Sequence, residues 1–126
     1  MGTAMASQLA STNNPKMLIL QAPFYNYNDA IEQAVNRDKN FNLGKILPLS
    51  LLNKYGFNNY EFIQNCAMPV KIFHGTSDEV INHSSSLKLK EHFKLEDRLI
   101  IDEDEDHETI VSSELYKTEL KKILKD

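Results

Sequence analysis

The segment PVKIFHGTSDEV, residues 69–80, specifies one strand of a sheet and the loop that follows it. Pro69 precedes a short apolar run and Gly75 ends it, which predicts a buried strand at residues 70–73. Asp78 is therefore predicted to lie in the loop at the carboxyl end of this strand. Ligand-binding and catalytic side chains collect at this end of open α/β sheets.

Two other short apolar runs, at residues 17–20 and 98–101, are predicted to be strands of the same sheet. Helices are predicted at residues 3–12, 29–35, 48–55, 60–66, 84–93 and 109–124. Alternation of strands and helices favours right-handed crossovers and a parallel sheet. The predicted fold class is α/β, with the sheet between two helical layers in a three-layer αβα arrangement.

Two of the predicted helices carry apolar stripes that are expected to face the core. In the first helix the stripe consists of Ala4, Met5, Leu9 and Ala10. In the last helix it consists of Val111, Leu115, Leu120, Ile123 and Leu124.

Composition excludes several classes of protein. The 126 residues are 41% apolar and 25% charged, and the net charge of −4 is unlike that of a nucleic-acid binder. No apolar run is long enough to span a membrane. Cys66 is the single cysteine, so no internal disulfide or multi-cysteine zinc site is expected. No secretory leader is recognised, and the cytoplasm is the expected compartment.

The second candidate catalytic segment is Asp106-His107-Glu108, just after the last predicted strand. If the two strands are neighbours, Asp78 and His107 meet at one edge of the sheet. The carboxylate then orients an imidazole that serves as a general base. The alternatives are that Asp78 is only a turn residue and that His107 is a solvated loop histidine.

The other titratable residues are expected to be structural. His74 is predicted to be a structural residue at a strand end, whereas His83 and His92 are predicted to lie on the surface. Cys66 is expected to be a small buried apolar residue. Residues 84–86, three serines, are predicted to start a helix.

The acidic run at residues 102–106 is predicted to be a solvated loop. It lacks the glycine and the glutamate that a calcium-binding EF-hand loop requires. No metal and no cofactor are expected.

Residues 69–80, together with the downstream His107, resemble the acid-bearing strand and loop of the α/β-hydrolase superfamily. The nearest group is the Bem46-like branch of serine esterases, lipases and aminopeptidase-like enzymes. Residues 2–11, 17–24 and 55–63 resemble that branch as well. The resemblance implies that residues 1–126 form one partial domain, the C-terminal part of an α/β-hydrolase fold. Residues 25–67 would be a short helical cap inserted in it.

The family's catalytic triad runs in the order Ser, Asp or Glu, His. The resemblance implies that Asp78 is the acid and His107 the base. It matches Gly2 to the last glycine of the nucleophile elbow and Met1 to the residue after the nucleophile, so the serine would fall one position before Met1. The implied reaction is hydrolysis of an ester, thioester or amide in a small-molecule acyl substrate or a peptide. The family usually has a glycine before the histidine, where this chain has residues 103–106.

Without that serine, the isolated chain is expected to have little or no activity. One alternative is an inactive remnant that serves as a binding or oligomerisation module and self-associates through a strand edge at residues 17–20. Another is complementation by a separate N-terminal half. The aromatic residues between 25 and 67 fit either an acyl pocket or an ordinary core.

Overall fold

The computed structural model describes residues 2–37 and 56–125. Its elements in chain order are α1 (Gly2–Asn13), β1 (Leu18–Gln21), α2 (Tyr27–Arg37), α3 (Asn59–Asn65), β2 (Val70–Gly75), α4 (Ser84–Lys90), β3 (Arg98–Asp102), a 3-10 helix (Thr109–Ser112) and α5 (Glu114–Lys125). The three predicted strands are confirmed. The helix predicted at residues 48–55 and Met1 both lie outside the described residues.

The three strands form one parallel sheet in the order β1-β2-β3. Ile72 of β2 is in register with Leu20 of β1 on one side and with Leu99 of β3 on the other. The carboxyl ends of β2 and β3 are therefore adjacent. Within the described part of the chain, β1 pairs with β2 alone and its other edge carries no strand.

Alternate residues of each strand point to opposite faces of the sheet, and different helices cover the two faces. On one face, Leu20 and Ile72 pack with Ala10 of α1, Ile63 of α3 and Leu89 of α4. On the other face, Leu120 and Ile123 of α5 pack in one apolar cluster with one residue from each strand: Ile19, Phe73 and Ile100. The predicted three-layer arrangement is confirmed.

The stripe predicted for α1 is wrong at its two largest residues. Met5 is 53% exposed and Leu9 is 61% exposed. The buried residues of α1 are Ala4, Ser7 and Ala10, which are all small. Small side chains allow the helix to approach α3 and β1 closely, so the face of α1 that packs is not its most apolar face.

The helix predicted at residues 109–124 is interrupted at Ser113. The Ser113 hydroxyl donates to the Asp102 carboxylate at the end of β3 and accepts the Tyr116 N–H at 3.0 Å. A side chain that accepts a backbone N–H in this way favours the start of a new helix. The predicted stripe is wrong at its exposed members Val111, Leu115 and Leu124, whereas Ile123 is buried and Leu120 packs in the same cluster, as predicted.

Candidate active site

The structure brings Asp78 and His107 together. Asp78 lies in the loop after β2, and His107 lies in the loop after β3. Because these strands are neighbours, His107 Nδ1 lies 2.8 Å from Asp78 Oδ2. The imidazole Nδ1–H donates to the carboxylate, as in an acid–base pair in which the acid orients the ring.

The Asp78 carboxylate is buried and fully hydrogen-bonded. Its side chain is 1% exposed. Oδ1 accepts the backbone N–H groups of Val80 at 2.9 Å and Ile81 at 2.8 Å. These donors compensate the loss of water around a buried charge and fix the direction of Oδ2.

The His107 side chain is 40% exposed, in contrast with Asp78. Since Nδ1 carries the proton that bonds Asp78, Nε2 of the neutral ring is a free acceptor. No residue in the described ranges hydrogen-bonds to Nε2. An open groove of about 470 Å³ beside the ring is also lined by Ser77 and Val80. The histidine therefore presents a base to a surface that a reactant could approach.

The loops after β2 and β3 are joined by backbone contacts at Gly75. A Cβ on Gly75 would lie 2.1 Å from the Glu105 carbonyl oxygen, so only glycine fits. The same Glu105 oxygen accepts the Ser77 N–H at 3.0 Å. Thr76 Oγ1 accepts the Asp104 N–H at 2.9 Å. Asp78 and His107 are thus held by two loops that bond to each other.

The acidic run turns the chain between β3 and His107. Asp104 adopts a positive φ of 65°, a conformation that aspartate tolerates better than most residues. Asp106 Oδ1 accepts the N–H groups of Glu108 and Thr109, which lowers the pKa of the Asp106 carboxyl. The prediction of a solvated loop is wrong for Asp102, which is buried.

His74 is fully buried and lies within hydrogen-bond reach of the acid loop, the segment of residues 76–83 that joins β2 to α4 and carries Asp78. Its Nε2 lies 2.8 Å from the Ile81 carbonyl oxygen and 3.5 Å from Asp78 Oδ2. Burial lowers the pKa of the His74 imidazole. The predicted structural placement is found, together with a contact to Asp78 that the sequence did not reveal.

The surface positions predicted for His83 and His92 are wrong, because both residues are half-buried. His92 stacks on Tyr25 with ring centroids 5.8 Å apart, and it lies 5.3 Å from Tyr60. Tyr25 and Tyr60 are distant from His92 in sequence, so no local pattern signals this cluster. Cys66 is buried as predicted, and burial raises the pKa of its thiol.

Sequence reasoning also missed the contact that fixes α2 to α4. The buried Asp29 carboxylate accepts from Gln33 and Ser85 at 2.8 and 2.9 Å, and it pairs with Lys88. The bond to Asp29 raises the pKa of the Lys88 amine. Gln33 Oε1 also accepts the Asn82 N–H at 3.0 Å, which places α2 beside the acid loop.

The start of α1 lies on the same side of the sheet as the acid loop. Ala4 forms a buried cluster with Phe24 and Phe57, and Ile81 packs against that cluster. Gly2 is the first residue of α1. Met1, predicted as the residue after the nucleophile, falls outside the described ranges.

Over residues 2–37 and 56–125, no group of three or more histidine, cysteine or acidic side chains is arranged to hold a metal ion. The helices in these ranges are all too short or too polar to cross a bilayer.

No protein-family model and no curated protein sequence matches the chain, whereas several solved structures do. The acetyl xylan esterase from Paenibacillus sp. R4 has a TM-score of 0.69 at 11% identity, covering 98% of this chain and 42% of the enzyme. MGS-MChE2, an α/β hydrolase from a sediment metagenome of the lagoon of Mar Chica, Morocco, has a TM-score of 0.67 at 15% identity, covering 98% and 57%. The acylaminoacyl peptidase of Pyrococcus horikoshii has a TM-score of 0.68 at 14% identity, covering 98% and 22%.

The chain therefore has the fold of the C-terminal part of an α/β hydrolase. It spans between 22% and 57% of the length of these three proteins. At identities this low the likeness establishes the fold, and the activity has to be argued from the site.

Proposed function

We propose that this chain carries the acid and the base of a serine hydrolase that cleaves carboxylic esters, thioesters or amides. The observation that carries the proposal is the 2.8 Å hydrogen bond from His107 Nδ1 to the buried Asp78 carboxylate. In the reaction, His107 Nε2 takes the proton of the attacking serine and then gives it to the leaving group. Asp78 holds the ring tautomer and stabilises the imidazolium.

We propose that the serine comes from a segment N-terminal to Met1, which would make residues 1–126 a partial domain. Met1 and Gly2 would then complete the nucleophile elbow, and backbone N–H groups there would contribute to the oxyanion hole. Two observations support this arrangement. The first turn of α1 shares a cluster with the acid loop, and β1 has a free edge in the described sheet.

We also propose that the chain belongs to the Bem46-like branch of the α/β hydrolases. The Bem46-like branch combines the same loop pattern with a helical cap, and residues 25–67 would be that cap. α2 supports this role because its Gln33 side chain accepts the Asn82 N–H of the acid loop at 3.0 Å. The cap would limit the acyl or peptide substrates that reach His107.

A second candidate function is a binding or oligomerisation module without activity. Its support is the apolar surface beside β1, where Met5 and Leu9 are more than half exposed. Such a surface, next to a free strand edge, favours pairing with another chain, including a second copy.

The first experiment is an assay with p-nitrophenyl acetate and butyrate. The chain is compared with an extended form that includes the in-frame codons upstream of Met1 through the expected Gly-x-Ser. We expect activity in the extended form only. Asp78→Asn should lower its kcat by roughly 10⁴, the loss typical of a triad with the wrong histidine tautomer.

His107→Ala should abolish the activity, and Ser77→Ala is the matched control because Ser77 lines the same groove. An extended form that is inactive, or that does not depend on His107, would contradict the proposal. If no in-frame Gly-x-Ser precedes Met1, the binding module becomes the better explanation.

A further inference from the structure

His74 occupies a buried position between the acid loop and α4. Its Nδ1 lies 2.6 Å from the Ser86 hydroxyl oxygen, and its Nε2 lies 2.8 Å from the Ile81 carbonyl oxygen. Both His74 and Ser86 are fully buried. Asp78 Oδ2 lies 3.5 Å from the same Nε2. The mechanism above assigns no role to this ring.

The hydrogen bonds determine the tautomer of His74. A carbonyl oxygen only accepts, so the proton of the neutral ring is on Nε2 and points to Ile81. Nδ1 is then the acceptor, and the Ser86 hydroxyl donates to it. Burial keeps the ring neutral because it lowers the pKa of His74. The ring therefore acts as a fixed donor toward the acid loop.

Ile81 links this donor to the catalytic acid. The Ile81 carbonyl accepts from His74, and the Ile81 N–H donates to Asp78 Oδ1 at 2.8 Å. The peptide group before Ile81 is thus bonded to Asp78, and the peptide group after Ile81 is bonded to His74. Without the bond to His74, the loop keeps the bonds to Asp78 Oδ1 and the bond from the Asp78 N–H to the Gly75 carbonyl of β2. It loses the bond that ties the Ile81 carbonyl to His74 and, through His74, to Ser86 of α4.

We propose that His74 is a positioning residue, locked by Ser86, that holds Ile81 and thereby aims Asp78 at His107. The effect of His74 on the acid loop is independent of the serine. Its effect on turnover rests on the proposed hydrolase function.

Two substitutions of His74 separate donation to Ile81 from the filling of space. The amide nitrogen of glutamine reaches about as far as imidazole Nε2, so His74→Gln retains the donor to Ile81. The asparagine amide reaches only the Nδ1 position, so His74→Asn retains a partner for Ser86 and loses the donor to Ile81. His83→Asn is the matched control, because His83 Nδ1 has no hydrogen-bond partner among residues 2–37 and 56–125.

The readouts are taken by NMR on the chain itself. In His74→Asn we expect hydrogen exchange at the Val80 and Ile81 amides to accelerate about tenfold, as the loss of one hydrogen bond predicts. The low-field Nδ1–H resonance of His107 should weaken. His74→Gln should restore both signals, and exchange in β2 should stay unchanged in every variant.

A folded His74→Asn variant with unchanged exchange at these amides and an unchanged His107 resonance would overturn the proposal. If His74→Asn does not fold, Ser86→Ala takes its place. That variant removes the lock on the tautomer and should accelerate the same two amides about threefold, less than the loss of a full hydrogen bond. No acceleration there would equally overturn the proposal.

In the extended form, His74→Asn should lower kcat with little change in KM, and His74→Gln should restore kcat. The NMR readouts require no activity, so the two proposals fail separately. An inactive extended form with the expected NMR changes would contradict the hydrolase function and leave the role of His74 standing.

Discussion

The loops after β2 and β3 differ sharply from the surface of α1 and β1. At the carboxyl end of β2, the buried carboxylate of Asp78 and both ring nitrogens of His74 have hydrogen-bond partners within the chain. On the α1 and β1 surface, Met5 and Leu9 are exposed beside the edge of β1, which carries no strand in the described part of the chain. Asp78 and His107 are thus positioned by contacts within the chain, whereas the side chains of Met5 and Leu9 are more than half exposed.

Among the variants of the loops, the helix cap and the exposed surface, the largest effect on stability is expected for Gly75→Ala. A Cβ there would overlap the Glu105 carbonyl, so the two loops must separate, at a cost of about 3 kcal/mol in the free energy of unfolding. Urea denaturation measures this cost. The control is Gly2→Ala, because nothing lies within 4 Å of a Cβ at Gly2. Equal stability of the two variants would show that the loops do not depend on this close approach.

The next effect is that of Ser113→Ala. The substitution removes the acceptor for the Tyr116 N–H and the donor to the buried Asp102 carboxylate. We expect a loss of about 1–2 kcal/mol in the free energy of unfolding, typical of a helix cap. Ser112→Ala is the matched control, since Ser112 is exposed. A loss shared by both variants would mean that the interruption of the helix has another cause.

A smaller effect concerns pH. Burial lowers the pKa of His74, so below the ordinary histidine pKa the unfolded chain takes up a proton that the folded chain does not. Stability therefore falls as pH drops below about 6.5, by up to about 1 kcal/mol at pH 5.5. Urea midpoints at pH 7.5 and 5.5 measure the change. His74→Gln should show a shallower decline, and an identical decline in both proteins would contradict the assignment.

The smallest effect on stability is expected for Leu9→Ser on the α1 surface. Because Leu9 is exposed, the free energy of unfolding should change by less than about 0.5 kcal/mol. Self-association, measured by sedimentation velocity, should weaken. Leu20→Ser at a buried position is the contrasting variant and should be strongly destabilised. Association that persists unchanged in Leu9→Ser would exclude this surface as the interface.

The sequence predicted the three strands well because short apolar runs between prolines and glycines have few alternative structures. It also predicted the proximity of Asp78 and His107, since both follow neighbouring strands. The exposed Met5 and Leu9 were missed because hydrophobic periodicity does not show which face of a helix has a neighbour. The stacking of His92 and the link from His74 to Ile81 depend on tertiary contacts that leave no local pattern.

The close approach at Gly75 also bears on how such a site could be transferred or altered. Because the Glu105 carbonyl rests against Gly75 and bonds to Ser77, the loops at residues 75–81 and 102–109 share one interface. An insertion in one loop would displace the other and separate the acid from the base. A graft onto another parallel sheet would have to move both loops together with their neighbouring strands. The transferable unit is therefore the pair of loops.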